Sequence, residues 1–142
     1  MASGDVQVAE LGSSPLAIGT SQGLDIQLFM IAEGLGTAES LIATKASGIT
    51  ALEGVKGMRI AVPVGSTAHY SLMGALAHAG IAETDVTIMN LPADQIAAAW
   101  DSGQVDAAFI WEPVQNQILQ TGTFIVGADQ TAAWGFPTFD GW

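Results

Sequence analysis

The sequence predicts an α/β fold built on a parallel sheet. From about residue 58 onward, short apolar runs of strand length alternate with segments of helix length. Turns rich in Gly, Ser and Pro separate them. Hydrophobic residues make up 49% of the chain and charged ones only 12%, which is the composition of a packed core and not of a disordered acidic tail.

Each element has a local reason. Residues 6–11 read as a short strand, ended by Gly12-Ser13-Ser14-Pro15. Ser13 or Ser14 can cap a helix that starts at Pro15 and stops at Gly23. Residues 26–31 form a second apolar strand, residues 33–39 a polar connection, and residues 40–44 a third strand. Residues 48–57 read as a short helix or turn. Residues 58–63 have a buried-strand pattern, and a helix follows from Gly65-Ser66-Thr67 to about residue 79, with Leu72, Met73 and Leu76 as its apolar stripe and Gly80 as its stop. Strands at 86–90, 105–110 and 123–126 alternate with helices at 93–101 and 113–121. Residues 134–142 are rich in aromatics, Gly and Pro and show no period. Ser3–Ala9 echoes Ser102–Ala108, which raises the expectation of two similar α/β lobes.

Composition narrows the function. With 142 residues the chain suits one domain or parts of two small ones. Fourteen acids against three bases give a net charge of −11. Lys45, Lys56 and Arg59 are the only fixed cations, too few to neutralise a nucleic-acid backbone or to hold an anionic membrane surface. No run approaches the roughly 18 apolar residues of a membrane span. There is no cysteine, so disulfides and thiolate chemistry are excluded. No spacing of His, Asp and Glu suggests a metal, and no cofactor is expected. Met1-Ala2-Ser3-Gly4-Asp5 lacks a basic start and an apolar run, so no export signal is read there and the chain as written is expected to be cytoplasmic.

Ligands of open α/β sheets sit at the carboxyl ends of strands, here Gly12-Ser13-Ser14, Gly65-Ser66-Thr67 and Trp111-Glu112-Pro113. The first two place small hydroxyl residues at a helix N-terminus, where free N–H groups and the helix dipole suit an anion. The simpler reading is that these serines only cap helices. Arg59 begins its strand and the Gly65 turn lies past its end, so roughly 20 Å separates them. An anion there is held by dipoles and hydroxyls, without a basic side chain. Glu112 lies between Trp111 and Pro113, and Asp140 lies in Phe139-Asp140-Gly141. A carboxylate among aromatics loses solvation unless a cation neutralises it, and a ligand ammonium with Trp111 or Trp134 offering a π face satisfies both. Alternatively Glu112 caps a helix and Asp140 makes an Asx turn. Ser66 and His69 are three apart on the first turn of a helix, a conceivable but poorly placed hydrolytic pair, with Tyr70 beside them.

Several segments in order carry a resemblance: Glu10-Leu11-Gly12-Ser13-Ser14-Pro15, Ile60-Ala61-Val62-Pro63 with Gly65-Ser66-Thr67-Ala68-His69-Tyr70, Trp111-Glu112-Pro113, and Trp134-Gly135-Phe136-Pro137-Thr138-Phe139-Asp140-Gly141. Together they resemble the taurine-binding branch of the sulfonate/nitrate solute-binding family of ABC importers. The resemblance implies a type II periplasmic-binding-protein fold: two α/β lobes joined by crossing strands, with the ligand in the cleft between them. It implies residues 1–44 as part of the first lobe and its outgoing hinge, residues 45–135 as a nearly complete second lobe, and residues 136–142 as the start of the return crossing. It implies periplasmic work, taurine or another alkanesulfonate as ligand, and the membrane subunits of an ABC transporter as partners. Ser13, Ser14, Ser66, Thr67, His69, Tyr70, Trp111, Glu112, Trp134 and Asp140 are the expected ligand-binding residues, and no catalytic residue is expected. Two other readings stand beside it, an enzyme related to thiamine-pyrimidine synthases and an assembly module. The first-lobe core positions Val6, Val8, Leu11, Leu16, Ile26, Leu28, Phe29 and Ile31 lack covering elements in this chain. Residues 1–44 are therefore expected to be mobile or to pair with a second copy in a homo-oligomer.

Overall fold

In a computed structural model, which describes residues 1 and 3–142, the chain builds two sheets. Ala2, part of the opening segment read above, lies outside the described residues. The smaller sheet contains β1 (Leu11–Gly12), β2 (Ile31–Gly34) and a late strand, Phe139–Gly141, which lies between them and runs antiparallel to both. Helix α1 (Ser13–Ser21) follows β1 directly.

The larger sheet starts with β3 (Glu39–Thr44) and β4 (Arg59–Val62), followed by α2 (Thr67–His78). Then come β5 (Thr87–Asn90), α3 (Ala93–Asp101), β6 (Ala107–Trp111), α4 (Val114–Leu119), β7 (Gly122–Gly127) and α5 (Ala128–Ala133). The late strand Phe139–Gly141 is β8. The order across the sheet is β5-β4-β6-β3-β7.

Period-two alternation sorts the core into two layers. Leu41, Ala43, Ile60, Val62 and Phe109 face Ala68, Leu72, Ala75 and Leu76 of α2. Ile42, Ala61, Ala108 and Ile110 face Ile96 and Trp100 of α3 and Ile118 of α4. Helices cover both faces, so the central positions of β3, β4 and β6 are apolar in an unbroken run, as a sheet buried on both faces requires. Trp100 donates from Nε1 to Thr121 Oγ1 at 3.0 Å, which satisfies its one polar atom. No described helix is long and apolar enough to cross a membrane.

The sheet corrects the parallel prediction. β4 runs parallel to β5 and β6, but β3 is antiparallel to both β6 and β7. The chain enters β3 from the smaller sheet and returns through residues 45–57 before β4 begins. The amino end of β3 therefore stands at the same edge as the carboxyl ends of β4 and β6, and Glu39 pairs with Trp111 in register.

The first segment departs further from expectation. Residues 6–10 form no strand, so the echo between Ser3–Ala9 and Ser102–Ala108 has no structural counterpart. The predicted strand at 26–31 is reduced to β2, which begins at Ile31. Of the expected first-lobe core positions, Leu11, Leu16 and Ile26 are half-buried, whereas Val6, Val8, Leu28, Phe29 and Ile31 are exposed, Phe29 by 70%, as is Met30. Without a covering layer these side chains gain nothing from alternation, and propensity alone does not order a strand. Helix α5 lies between the predicted strand at 123–126 and the aromatic-rich end at 134–142, where no element was predicted; its six residues are too few to show a period.

Candidate functional site

Two helix N-termini meet at the edge between the sheets. Ser66 caps α2: its Oγ accepts from the His69 N–H at 3.2 Å. This leaves the first N–H groups of α2 outside the intrahelical ladder. Gly65 enters the turn at φ +88°, a conformation glycine adopts without Cβ strain. Its N–H donates to His69 Nδ1 at 3.3 Å, so a neutral His69 ring carries its proton on Nε2 as a free donor. This geometry removes the hydrolytic-pair reading: Ser66 Oγ and the His69 imidazole engage different backbone groups.

Helix α1 is capped differently from expectation. Gly12 is its N-cap and supplies no side-chain hydrogen bond, while Ser13 and Ser14 stand inside the first turn. The serine hydroxyls are free of capping duty. Ser13 Oγ accepts from the Phe139 N–H at 3.4 Å, tying α1 to β8.

These turns line a cavity of about 520 Å³, bordered by Ser13, Ser14, Ile18, Gly65, Ser66, His69, Tyr70, Met73 and Pro137. Tyr70 is held edge-on to Phe136, with ring centroids 6.1 Å apart. A second cavity of about 380 Å³ adjoins it and shares Ser66. Gly12, Leu35, Thr67 and Trp111 border it together with four carboxylates: Glu33, Glu39, Glu112 and Asp140.

The structure thus brings nine of the ten expected residues to the two cavities, Ser13, Ser14, Ser66, His69 and Tyr70 in the first and Ser66, Thr67, Trp111, Glu112 and Asp140 in the second. Trp134 is not among them. It stacks on His78, with centroids 3.8 Å apart and planes 2° from parallel, beside the core layer under α2. Neither simpler reading of the acids survives. The N-cap of α4 is Pro113, with no side-chain cap bond. Asp140 lies within β8, opposite Gly12 and Glu33.

Sequence reasoning missed Glu39, which it placed in a polar connection. It is 2% exposed, yet borders the second cavity. Oε1 accepts from Thr67 Oγ1 at 2.5 Å, and Oε2 has no hydrogen-bond partner. Burial pushes its carboxyl up to about 7; the Thr67 bond opposes that rise and the Asp140 charge adds to it. Burial also raises Asp140, with the charges of Glu10 and Glu33 contributing. The one available signal was an acid immediately before the apolar run at 40–44.

No Lys or Arg among the described residues borders either cavity. Arg59 pairs with Asp106 at 2.9 Å at the amino end of β4, and Lys56 pairs with Asp85 at 3.5 Å. The Arg59 hydrogen bonds hold the Asp106 carboxyl below the usual range. Lys45 lies with Arg59 in a separate depression. Among the described residues, no three His, Cys, Asp or Glu side chains are placed to share a metal ion. The arrangement suits a ligand with an anionic end in the first cavity and a cationic end in the second.

Sheet topology and cavity placement define an α/β protein of the periplasmic-binding-protein type. A family model described as NMT1/THI5 like matches residues 1–141, and the chain belongs to that family. The taurine-binding periplasmic protein of Escherichia coli strain K12 is 45% identical over all 142 residues, which are 44% of its own length. The periplasmic aliphatic sulphonate binding protein SsuA from Escherichia coli superposes with a TM-score of 0.83 at 26% identity, over 98% of this chain and 45% of that one. The alkanesulfonate-binding protein SsuA from Xanthomonas axonopodis pv. citri, bound to MOPS, gives 0.78 at 24% identity over 94% and 47%, a likeness of fold. The chain spans less than half the length of these relatives.

Proposed function

We propose that this chain carries ligand-contacting elements of a solute-binding protein for taurine or a similar zwitterionic alkanesulfonate. One observation carries the reading: two cavities of opposite character share Ser66. The first offers helix N-termini, hydroxyls and the His69 donor to a sulfonate. The second offers Asp140, Glu112 and Glu33 to an ammonium, with the Trp111 ring alongside. Similarity to the taurine-binding protein and to SsuA supports the same ligand class. Delivery to the membrane subunits of an ABC transporter from the periplasm belongs to this proposal. So does the division into a partial first lobe at 1–44, a second lobe at 45–135 and a return crossing from 136. The enzyme alternative related to thiamine-pyrimidine synthases is not favoured by a specific feature of either cavity. The exposed face around Phe29 is proposed to pair with a second copy in this chain, which light scattering reads as a mass above 14.6 kDa.

Calorimetry tests the ligand. Taurine is expected to bind more tightly than ethanesulfonate, which lacks the ammonium. Equal affinities remove the role assigned to Asp140 and Glu112, and no heat with either removes the whole reading.

A further inference from the structure

Glu39 is an unusual wall for a cavity. It is a buried carboxyl with one oxygen satisfied by Thr67 and the other without a partner. Everything titratable that borders its cavity is acidic: Asp140 on β8, Glu33 on β2 and Glu112 just past β6, with Glu10 acting on Asp140. Helix α2 contributes the neutral Thr67 hydroxyl, and its His69 borders the adjoining cavity. The cations Arg59 and Lys56 are paired elsewhere, with Asp106 and Asp85. A second negative charge beside Asp140, out of water and with no cation, is disfavoured.

We propose that Glu39 is a specificity-determining residue that holds a proton on its free oxygen in the empty protein and releases it to solvent when a ligand ammonium docks beside it. This rests on the ammonium placement proposed above. The ligand keeps all three of its ammonium protons; the O–H bond of Glu39 breaks and the proton goes to buffer. The Thr67 hydrogen bond then stabilises the carboxylate, since a bond to a charged acceptor is the stronger kind. A ligand without a cation cannot displace the proton, so it leaves a neutral carboxyl and gains no ion pair. The elevated titration of Glu39 sets the window in which this discriminates, around neutral pH.

The test is calorimetry of the 142-residue chain with taurine, at pH 6 to 8, in buffers of different ionisation enthalpy. At pH 6 the heat is expected to depend on buffer, with close to one proton released, and affinity is expected to rise about fivefold from pH 6 to 7 and about tenfold in all by pH 8, where it levels off. Ethanesulfonate is expected to release none. Glu39→Gln is expected to flatten the taurine profile between pH 6 and 7.5. Tight taurine binding with buffer-independent heat overturns the inference and leaves the ligand assignment standing. Absence of taurine binding overturns both. A carboxyl-carbon NMR titration of the ligand-free protein reads the proton directly: a Glu39 midpoint near 7 is expected, and one near the ordinary 4.5 overturns the inference whatever the variant does.

Discussion

Gly12 and Thr67 are in contact across the junction of the two sheets: a Cβ on Gly12 would lie 2.7 Å from Thr67 Cγ2. Gly12 caps α1 and Thr67 opens α2, so this contact sets how closely the two helix N-termini approach. Gly12 has φ −64°, which any residue adopts, so its requirement is space and not backbone freedom.

Gly12→Ala is therefore expected to overpack the junction and cost about 1–3 kcal/mol of stability, measured by urea unfolding. Thr67→Ser removes the offending methyl and keeps the hydroxyl for Glu39. The double variant is expected to recover most of the loss, a non-additivity that contacts of this kind produce. Additive losses would show that Gly12 is needed for another reason.

Ser66 has two roles that substitution separates. Ser66→Ala removes the cap on His69 N–H and is expected to cost about 0.5–2 kcal/mol, whereas Ser66→Gly is expected to cost only a few tenths. Both remove the hydroxyl that borders both cavities, so both are expected to weaken taurine binding. If the glycine variant binds like the parent, the hydroxyl serves the helix alone.

Much of the larger sheet was legible because burial on both faces writes itself into sequence. The apolar stretches Leu41–Ala43, Ile60–Val62 and Ala107–Ile110 stand out as strands, and α3 falls on its predicted bounds because Ile96 and Trp100 mark one side. Direction was not legible. Nothing in Ser40–Thr44 distinguishes a parallel from an antiparallel strand, so the rule that looks to carboxyl ends passed over Glu39, which reaches the same edge from an amino end. Ser13 and Ser14 looked like caps because their residue type suits one, but Gly12 holds that position. Trp134 was grouped with the site as an aromatic near Asp140, and only the coordinates place it on His78.

Glu39 also makes stability depend on pH. Its folded value of about 7 exceeds the ordinary 4.5, so between the two the folded chain holds more protons than the unfolded chain. Its contribution is therefore full below pH 4.5 and is lost as pH rises through 7, by on the order of 3 kcal/mol. Asp106, held low by Arg59, acts with the opposite sign and loses its contribution in acid. The difference between parent and Glu39→Gln isolates the first effect. In urea unfolding without ligand, the variant is expected to gain on the parent as pH rises from 5 to 8; a constant difference would contradict this.

The most direct measurement is the effect of Asp140→Asn on two ligands compared by calorimetry at one pH. Asp140 is half-buried, borders the carboxylate cavity and does not border the one lined by Ser13, Ser14 and His69. Loss of its charge is expected to weaken taurine by about thirtyfold, which corresponds to about 2 kcal/mol, the low end for truncating one partner of a buried charge pair. Ethanesulfonate, with no ammonium to place there, is expected to bind the variant as well as it binds the parent. Equal weakening of both ligands would contradict a site divided into an anionic-end and a cationic-end cavity.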